Sequence, residues 1–234
     1  MNNNDRPKSL FEHIIDLREV FVKSAFAILI GMTLSYIFID EIFKFLSHPL
    51  KDQKLIYTSV SEIFSTHLRI AFYSALVICF PYIMWQIWRF IRPGLFENET
   101  KTAIRIMFIS PILFAIGASF AFFIVVPNIF EMFIMANQNI AEFMPKTSEN
   151  ISFIILLMLS FGLSFQMPLV VFFLDRLNIL KVQTLQKLWR EVILAIVIIS
   201  AIITPPDAFS MAFLAVPLIF LYIISLFFCK FIRG

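Results

Sequence analysis

The 234-residue sequence has little of what soluble domains are built from. Only 15% of its residues are charged, against roughly a quarter in an ordinary soluble domain. Five glycines and two cysteines argue against a collagen-like, flexible or disulfide-stabilised chain. The sequence is instead 60% hydrophobic, with 30 phenylalanines and a mean hydropathy of +0.88. These values predict an all-α polytopic membrane protein whose 234 residues form one domain.

Catalytic and metal-binding patterns are also missing. The three histidines lie in unrelated contexts, and neither G-x-S-x-G nor H-E-x-x-H occurs. Ser160 and Ser164 flank a glycine in an apolar run, but no histidine lies in such a run to act as their base. We therefore expect no enzymatic activity, no metal and no cofactor, and the alternative of an intramembrane hydrolase is disfavoured.

Six apolar runs predict six transmembrane helices. They cover about 20–39, 70–91, 103–127, 151–174, 192–203 and 208–229, and an amphipathic helix over about 9–19 precedes the first. The fifth run spans roughly 18 Å of a hydrocarbon core about 30 Å thick. Either the bilayer thins there, or Arg190 and Glu191 are drawn into the bundle and pair. Prolines at 81, 111, 127, 168 and 217 predict bent helices and a concave bundle.

The positive charges predict the orientation of the chain. Of the 19 lysines and arginines, 14 fall in the termini and in the second and fourth connections. Because the cytoplasmic side of a membrane protein is enriched in Lys and Arg, both termini are predicted to be cytoplasmic. No basic patch lies apart from the apolar runs, which argues against nucleic-acid binding. The first and third connections, on the other side, are predicted to form an external cap.

The helix before the first span is predicted to be two-faced. One face carries Leu10, Ile14, Leu17 and Phe21, and the opposite face carries Glu12, Asp16, Glu19 and Lys23. This acidic stripe is either a binding surface or an ordinary solvated face in which Glu19 and Lys23 pair. Arg18 lies near the apolar edge, where we expect it to snorkel or to pair within the bundle.

Five short motifs occur in the order typical of one family. They are His13-x-x-Asp16-Leu17-Arg18, then Pro49, Phe90-x-x-Pro93-x-Leu95-x-x-x-Glu99, Phe161-Gly162-x-Ser164-Phe165-x-x-Pro168 and Thr204-Pro205-Pro206-Asp207. Over residues 9 to 232 the chain resembles TatC, the multispanning component of the twin-arginine protein translocase. Each motif is weak alone, but their order within a six-span pattern is specific.

The resemblance implies both an activity and partners. A protein of this family recognises signal peptides with two consecutive arginines and exports folded proteins by using the proton-motive force. It works with the single-span proteins TatA and TatB, contacts membrane lipids and self-associates in a larger complex. The implied location is the bacterial cytoplasmic (inner) membrane.

The resemblance also implies a signal-peptide site. Asp16 and Glu99 match the two carboxylates of the family, and carboxylates accept bidentate hydrogen bonds from guanidinium groups. Asp16 is about 1.5 Å shorter than the family's glutamate, so Glu99 is expected to contribute more. Phe90 and Leu95 match positions that either shape the apolar side of the site or only pack, and Arg18 completes the set.

Four further positions belong to the motifs of the resemblance. Gln166 stands where the family commonly has a glutamate, facing the concave side on which TatA and TatB dock. It cannot ionise; it either contacts a partner helix or is satisfied within the chain. Asp207 is expected to cap the sixth helix, with a proton-linked role as the alternative. Pro49 and Pro168 belong to the structural motifs.

The competing hypothesis is a secondary transporter for a small solute. That architecture predicts internal repeats with interrupted helices at matching places in the two halves. The sequence shows no such repeat.

Overall fold

The computed structural model describes residues 10–50, 56–57, 59–91, 97–137, 146–177, 181–204 and 208–233. Within these ranges the regular structure is helical, apart from one isolated β-bridge. The helices are α1 (Leu10–Ile37), α2 (Ile39–Leu46), α3 (Val60–Ile91), α4 (Glu97–Phe120), α5 (Val126–Asn137), α6 (Thr147–Ser164), α7 (Met167–Arg176), α8 (Val182–Lys187), α9 (Trp189–Ile203) and α10 (Ala208–Arg233).

Four helical stretches are long and apolar enough to cross a membrane. They are Ile14–Ile37, Ser61–Ile91, Thr102–Met132 and Thr147–Arg176, and Met211–Phe227 is a shorter apolar helix. The predicted class, an all-α polytopic membrane protein, is confirmed. The helices are longer than the apolar runs because polar residues continue them beyond the hydrophobic part. The exact limits of the membrane spans stay predictions.

Prolines interrupt two of the long helices. The fourth apolar stretch breaks at Phe165–Gln166, and Pro168 lies in the first turn of α7, where its missing N–H costs little. Before Pro127, residues Ala121–Val125 form a π-helical turn in which the N–H of Val126 bonds to the carbonyl of Ala121. The extra residue in that turn accommodates the proline without ending the helix.

Glycines allow α4 and α6 to pack closely. A Cβ built on Gly162 would lie 2.5 Å from the ring of Phe114, and one on Gly117 would lie 2.7 Å from the carbonyl oxygen of Phe161. Phe161 itself is fully buried in the main core between these helices and α10. In a membrane the hydrophobic effect does not drive helices together, because lipid is as apolar as the side chains. Small residues at these crossings stabilise the pair instead by allowing close contact.

The first and third connections meet at one end of the bundle. Ile56 forms the β-bridge with Lys146, and both the N–H and the hydroxyl of Thr147 donate to the Ile56 carbonyl at 3.0 Å. Nearby, the N–H of Ser148 donates to Oε1 of Glu62 at 3.4 Å. These bonds join the two connections that the sequence analysis assigns to a cap. Pro49 belongs to the first connection, directly after α2, in a short 3₁₀ turn (His48–Leu50) whose Leu50 is buried.

The short helix α9 keeps its flanking charges on the surface. It has 15 residues, or about 22 Å of helix. Arg190 and Glu191 are both exposed, and the Arg190 guanidinium lies over the Trp189 ring, 5.4 Å from its centroid. The interpretation that Arg190 and Glu191 are drawn into the bundle is therefore not supported. Local thinning of the bilayer stays a prediction.

Candidate functional site

The ends of α1, α3 and α4 lie at the end of the bundle opposite the Ile56–Lys146 bridge, with α3 packed against both α1 and α4. The chain enters through α1, returns along α3, which packs against it, and turns back into α4. This order brings Asp16, Phe90 and the first turn of α4, which contains Glu99, to the same end. The side chain of Glu99, and both Leu95 and Asp207 entirely, lie outside the described residues.

The predicted amphipathic helix and the first span form one continuous helix, α1. Its apolar stripe faces outward, with Phe21 74% exposed, whereas Asp16 and Lys23 are partly buried. In a bilayer this is the favourable arrangement, because lipid covers the apolar stripe and the polar stripe faces protein or the aqueous boundary. Arg18 is exposed.

Charges from two helices converge on Glu19. Lys23 donates a hydrogen bond to the Glu19 carboxylate one turn away on α1. The positive charge of Arg89, on α3, also acts on this carboxylate, and the negative charge of Asp16 opposes both.

A groove lies between α3 and α4 beside these charges. Its volume is about 390 Å³, and it is lined by Trp85, Trp88, Arg89, Thr100, Ala103, Ile104 and Met107. The Trp88 and Phe173 rings pack edge to face with their centroids 4.8 Å apart, and this contact holds the Trp88 wall of the groove in place. Thr100 directly follows Glu99, so the groove begins next to the predicted carboxylate.

The sequence analysis did not identify this groove. The signal was present as two tryptophans three residues apart, followed by Arg89 directly before the motif residue Phe90. Aromatic residues near a span end are typical of the membrane boundary, so the pattern gave no reason to expect a groove. Phe90 itself is partly buried.

Gln166 lies at the break between α6 and α7 and is bonded to α4. Its Oε1 accepts a hydrogen bond from the Ser110 hydroxyl at 2.6 Å, and its Nε2 donates to the Ser110 carbonyl at 3.0 Å and to the Gly162 carbonyl at 3.4 Å. The side chain is 9% exposed. Gln166 therefore faces the bundle interior, as expected, and its amide is satisfied within the chain. Contact with a partner helix stays a prediction.

The two serines considered for hydrolysis are bonded within their own helix. The Ser160 hydroxyl donates to the Leu156 carbonyl and the Ser164 hydroxyl to the Ser160 carbonyl, each at 2.7 Å. Throughout the described part of the chain, no three His, Cys, Asp or Glu side chains form a metal-binding group.

Known proteins match the chain over nearly its whole length. The family model for the Sec-independent protein translocase protein TatC matches residues 12–217. The chain belongs to the TatC family. The TatC protein of Carboxydothermus hydrogenoformans is 37% identical over 98% of this chain and 96% of its own length. That of Rickettsia prowazekii is 35% identical over 96% and 94%, respectively.

Solved TatC structures match the fold as well. A crystal structure of the twin arginine translocase receptor TatC superposes with a TM-score of 0.87 at 31% identity, covering 95% of this chain and all of that chain. A second, determined in the detergent DDM, gives 0.86 over 92% of this chain. Membership of the TatC family identifies the chain as a subunit of a protein translocase, and nothing in these matches favours a solute transporter.

Proposed function

We propose that this chain is the signal-peptide receptor of a bacterial twin-arginine translocase. It lies in the cytoplasmic membrane with both termini in the cytoplasm. Asp16 and Glu99 accept hydrogen bonds from the two adjacent guanidinium groups, Phe90 and Leu95 form the apolar side of the site, and Arg18 borders it. The proposal includes no enzymatic step and no cofactor.

The observation that carries the proposal is the packing of α3 against both α1 and α4, with the start of α1, the end of α3 and the start of α4 at one end of the bundle. It puts the acidic stripe of α1 on the same end as the first turn of α4. That end also holds most of the lysines and arginines, which supports a cytoplasmic orientation. A planar guanidinium matches a carboxylate in two parallel hydrogen bonds, whereas an ammonium group cannot, so such a site distinguishes arginine from lysine.

We further propose that single-span TatA- and TatB-type proteins dock on the concave side, at the α6–α7 break beside Gln166. Pro168 and the bonds to Ser110 set the geometry of this break. Folded cargo is then exported at the expense of the proton-motive force, by a complex that contains several copies and surrounding lipids. Asp207 caps α10, and Pro49 shapes the turn that follows α2 in the external cap.

Site-specific crosslinking tests the receptor function. A photoreactive peptide with two adjacent arginines, and its two-lysine variant, are added to the detergent-solubilised full chain. We expect the arginine peptide to label the chain much more strongly. Equal labelling of both peptides would refute the role of Asp16 and Glu99.

Substitutions in the same assay rank the two carboxylates. Glu99→Gln is expected to weaken labelling more than Asp16→Asn because aspartate has the shorter reach. Glu131→Gln, at the opposite end of the bundle, is the matched control and should leave labelling unchanged. The reverse order of the two site variants would refute the ranking.

A further inference from the structure

The groove between α3 and α4 is polar at one end and apolar along the rest of its length. Arg89, near the end of α3, and Thr100, in the first turn of α4, form the polar end. The other described lining residues are apolar or aromatic: Trp85, Trp88, Ala103, Ile104 and Met107. From Thr100 to Met107 the groove follows α4 for about 10 Å. Its shape and polarity therefore fit a molecule with a polar end and an apolar tail.

The groove is a built part of the fold. Ala103 is 4% exposed and contributes only a methyl group, so it leaves space between the larger side chains of the two helices. It belongs to a buried cluster with Ile106 and Phe173, against which Trp88 packs. The volume of about 390 Å³ lies in the range of roughly 300–1,000 Å³ that is typical of ligand sites. The packing of these residues keeps the groove open in the folded chain.

The apolar part of the groove opens toward the bilayer. Trp85 is 59% exposed and Ile104 is 40% exposed, and both belong to stretches long enough to cross a membrane. In the membrane, a bilayer rather than water surrounds these side chains. Arg89 lies two residues before the end of its stretch at Ile91, at the level where tryptophan and arginine side chains reach the lipid headgroups. A ligand therefore enters this groove from the membrane.

The charge of the groove favours an anionic ligand. Arg89 is the one charged side chain among its described lining residues. A guanidinium can donate two parallel hydrogen bonds to a phosphate, whereas it repels a peptide that carries two arginines. A soluble phosphate would leave the apolar walls unfilled, and an apolar partner helix would make no use of the guanidinium. An anionic phospholipid matches both ends of the groove.

We propose that this groove binds an anionic phospholipid, with the phosphate at Arg89 and Thr100 and one acyl chain along the apolar residues of α4. Trp85 and Trp88 then border the glycerol region of the lipid, the level at which tryptophans are enriched. Basic pockets between transmembrane helices are known to bind anionic headgroups on the cytoplasmic side. The inference goes beyond the proposed function, because the lipid site needs no signal peptide and is separate from the peptide carboxylates.

Quenching of tryptophan fluorescence by brominated lipids tests this site. Trp189→Phe leaves Trp85 and Trp88 as the only tryptophans of the chain. The full chain with this substitution is purified in detergent and titrated with brominated phosphatidylglycerol, or with brominated phosphatidylcholine that carries the same acyl chains. We expect phosphatidylglycerol to reach half-maximal quenching at an about five-fold lower mole fraction, the factor that one basic residue near a membrane surface contributes.

Substitutions at Arg89 show whether the preference comes from its charge. In Arg89→Gln the two lipids should quench equally, whereas Arg89→Lys should keep the preference because the charge remains. Arg190→Gln is the matched control. Arg190 is also exposed and lies beside a tryptophan position, but on α9, so the full preference should remain.

Several results would overturn the inference. Equal quenching by the two lipids with Arg89 intact would show no preference for an anionic headgroup, and an unchanged preference in Arg89→Gln would place the selective charge elsewhere. Quenching by neither lipid would show that lipid does not enter the groove. Excess soluble glycerol phosphate should leave the quenching by phosphatidylglycerol unchanged. If it relieves the quenching, the groove binds free phosphate rather than lipid.

The receptor function is tested separately, because these titrations contain no peptide. A chain that prefers phosphatidylglycerol but is labelled equally by the arginine and lysine peptides has the lipid site and lacks the proposed receptor function. A chain that prefers the arginine peptide but binds both lipids equally has the receptor function and lacks the lipid site.

Discussion

The bond between Gln166 and Ser110 should hold the broken fourth span against α4. Gln166→Leu keeps most of the side-chain volume but removes both partners of Ser110, the 2.6 Å bond from its hydroxyl and the 3.0 Å bond to its carbonyl. The third bond, to the Gly162 carbonyl, is long at 3.4 Å and contributes little. The substitution therefore isolates the contact between α4 and the α6–α7 break.

The expected cost follows from the two short bonds. A hydrogen bond between membrane helices contributes on average about 0.6 kcal/mol and at most about 1.7 kcal/mol. Two bonds thus predict a loss of about 1–2 kcal/mol in the free energy of unfolding. The loss stays in this range because the orphaned Ser110 hydroxyl can turn to a carbonyl of its own helix.

Equilibrium unfolding in mixed detergent micelles, followed by tryptophan fluorescence, measures this free energy. Ser164→Ala is the matched control, because its hydroxyl lies two residues away but donates only within α6, at 2.7 Å to the Ser160 carbonyl. We expect the control to change stability by less than about 0.5 kcal/mol. In a cycle with Ser110→Ala, the coupling energy to Gln166→Leu should be about 1 kcal/mol.

Two results would contradict this account. If Gln166→Leu costs no more than Ser164→Ala, the bonds to Ser110 do not stabilise the break. If the losses from Ser110→Ala and Gln166→Leu simply add, the two residues are not energetically coupled, and any loss reflects packing alone.

Two other regions give separate predictions. Gly162→Ala places a methyl group 2.5 Å from the Phe114 ring, which is itself stacked on Phe80 at 3.7 Å and cannot easily move, so unfolding should become easier by about 1–3 kcal/mol. Adding Phe114→Leu should restore part of the loss, and an unchanged stability would show that the helices can separate locally. Burial and the charge of Glu62 raise the pKa of the Tyr57 phenol above its ordinary value of 10.0. The folded state favours the neutral phenol. The resulting contribution to the free energy of unfolding is therefore complete below pH 10 and is lost as the pH rises through the raised pKa of Tyr57. Tyrosinate absorbance should therefore show one tyrosine that titrates above pH 10. This titration should be absent in Tyr57→Phe and should shift toward lower pH in Glu62→Gln. An identical titration in Tyr57→Phe would contradict the assignment to Tyr57.

The helical architecture could be predicted because one physical constraint dominates it. A backbone in hydrocarbon must satisfy its own hydrogen bonds, so long apolar runs become helices. Helix limits were less predictable: α3 begins at Val60, well before its apolar run, since a helix continues through polar residues once it leaves the membrane. The helix break at Phe165–Gln166 was more predictable, because Pro168 cannot donate a backbone hydrogen bond and belongs to the fourth motif.

The site could be predicted only in part. The sequence analysis named Asp16 and Glu99 through motifs, but the groove lined by Trp85, Trp88 and Arg89 depends on which face of α3 meets α4. Likewise Ser110 and Gln166 are 56 residues apart, and neither periodicity nor spacing pairs them. Contacts between helices depend on rotation about each helix axis, and uniformly apolar helices carry little information about that rotation.

The distribution of ionisable groups limits where proton-linked chemistry can occur in this chain. No Asp, Glu, Lys, Arg or His occurs in residues 24–39, 70–88, 106–130, 151–174, 192–203 or 208–229. Where the family commonly has a glutamate, Gln166 makes a reciprocal pair with Ser110 that needs both an amide donor and an amide acceptor. A carboxylate has no proton to donate to the Ser110 carbonyl, so the amide is suited to a fixed structural contact rather than to a titrating one. If export uses the proton-motive force, as proposed, the groups that exchange protons must lie at the helix ends or on partner proteins. Within this chain the Asp, Glu, Lys, Arg and His residues lie outside these segments, and the two proposed peptide-binding carboxylates, Asp16 and Glu99, are among them.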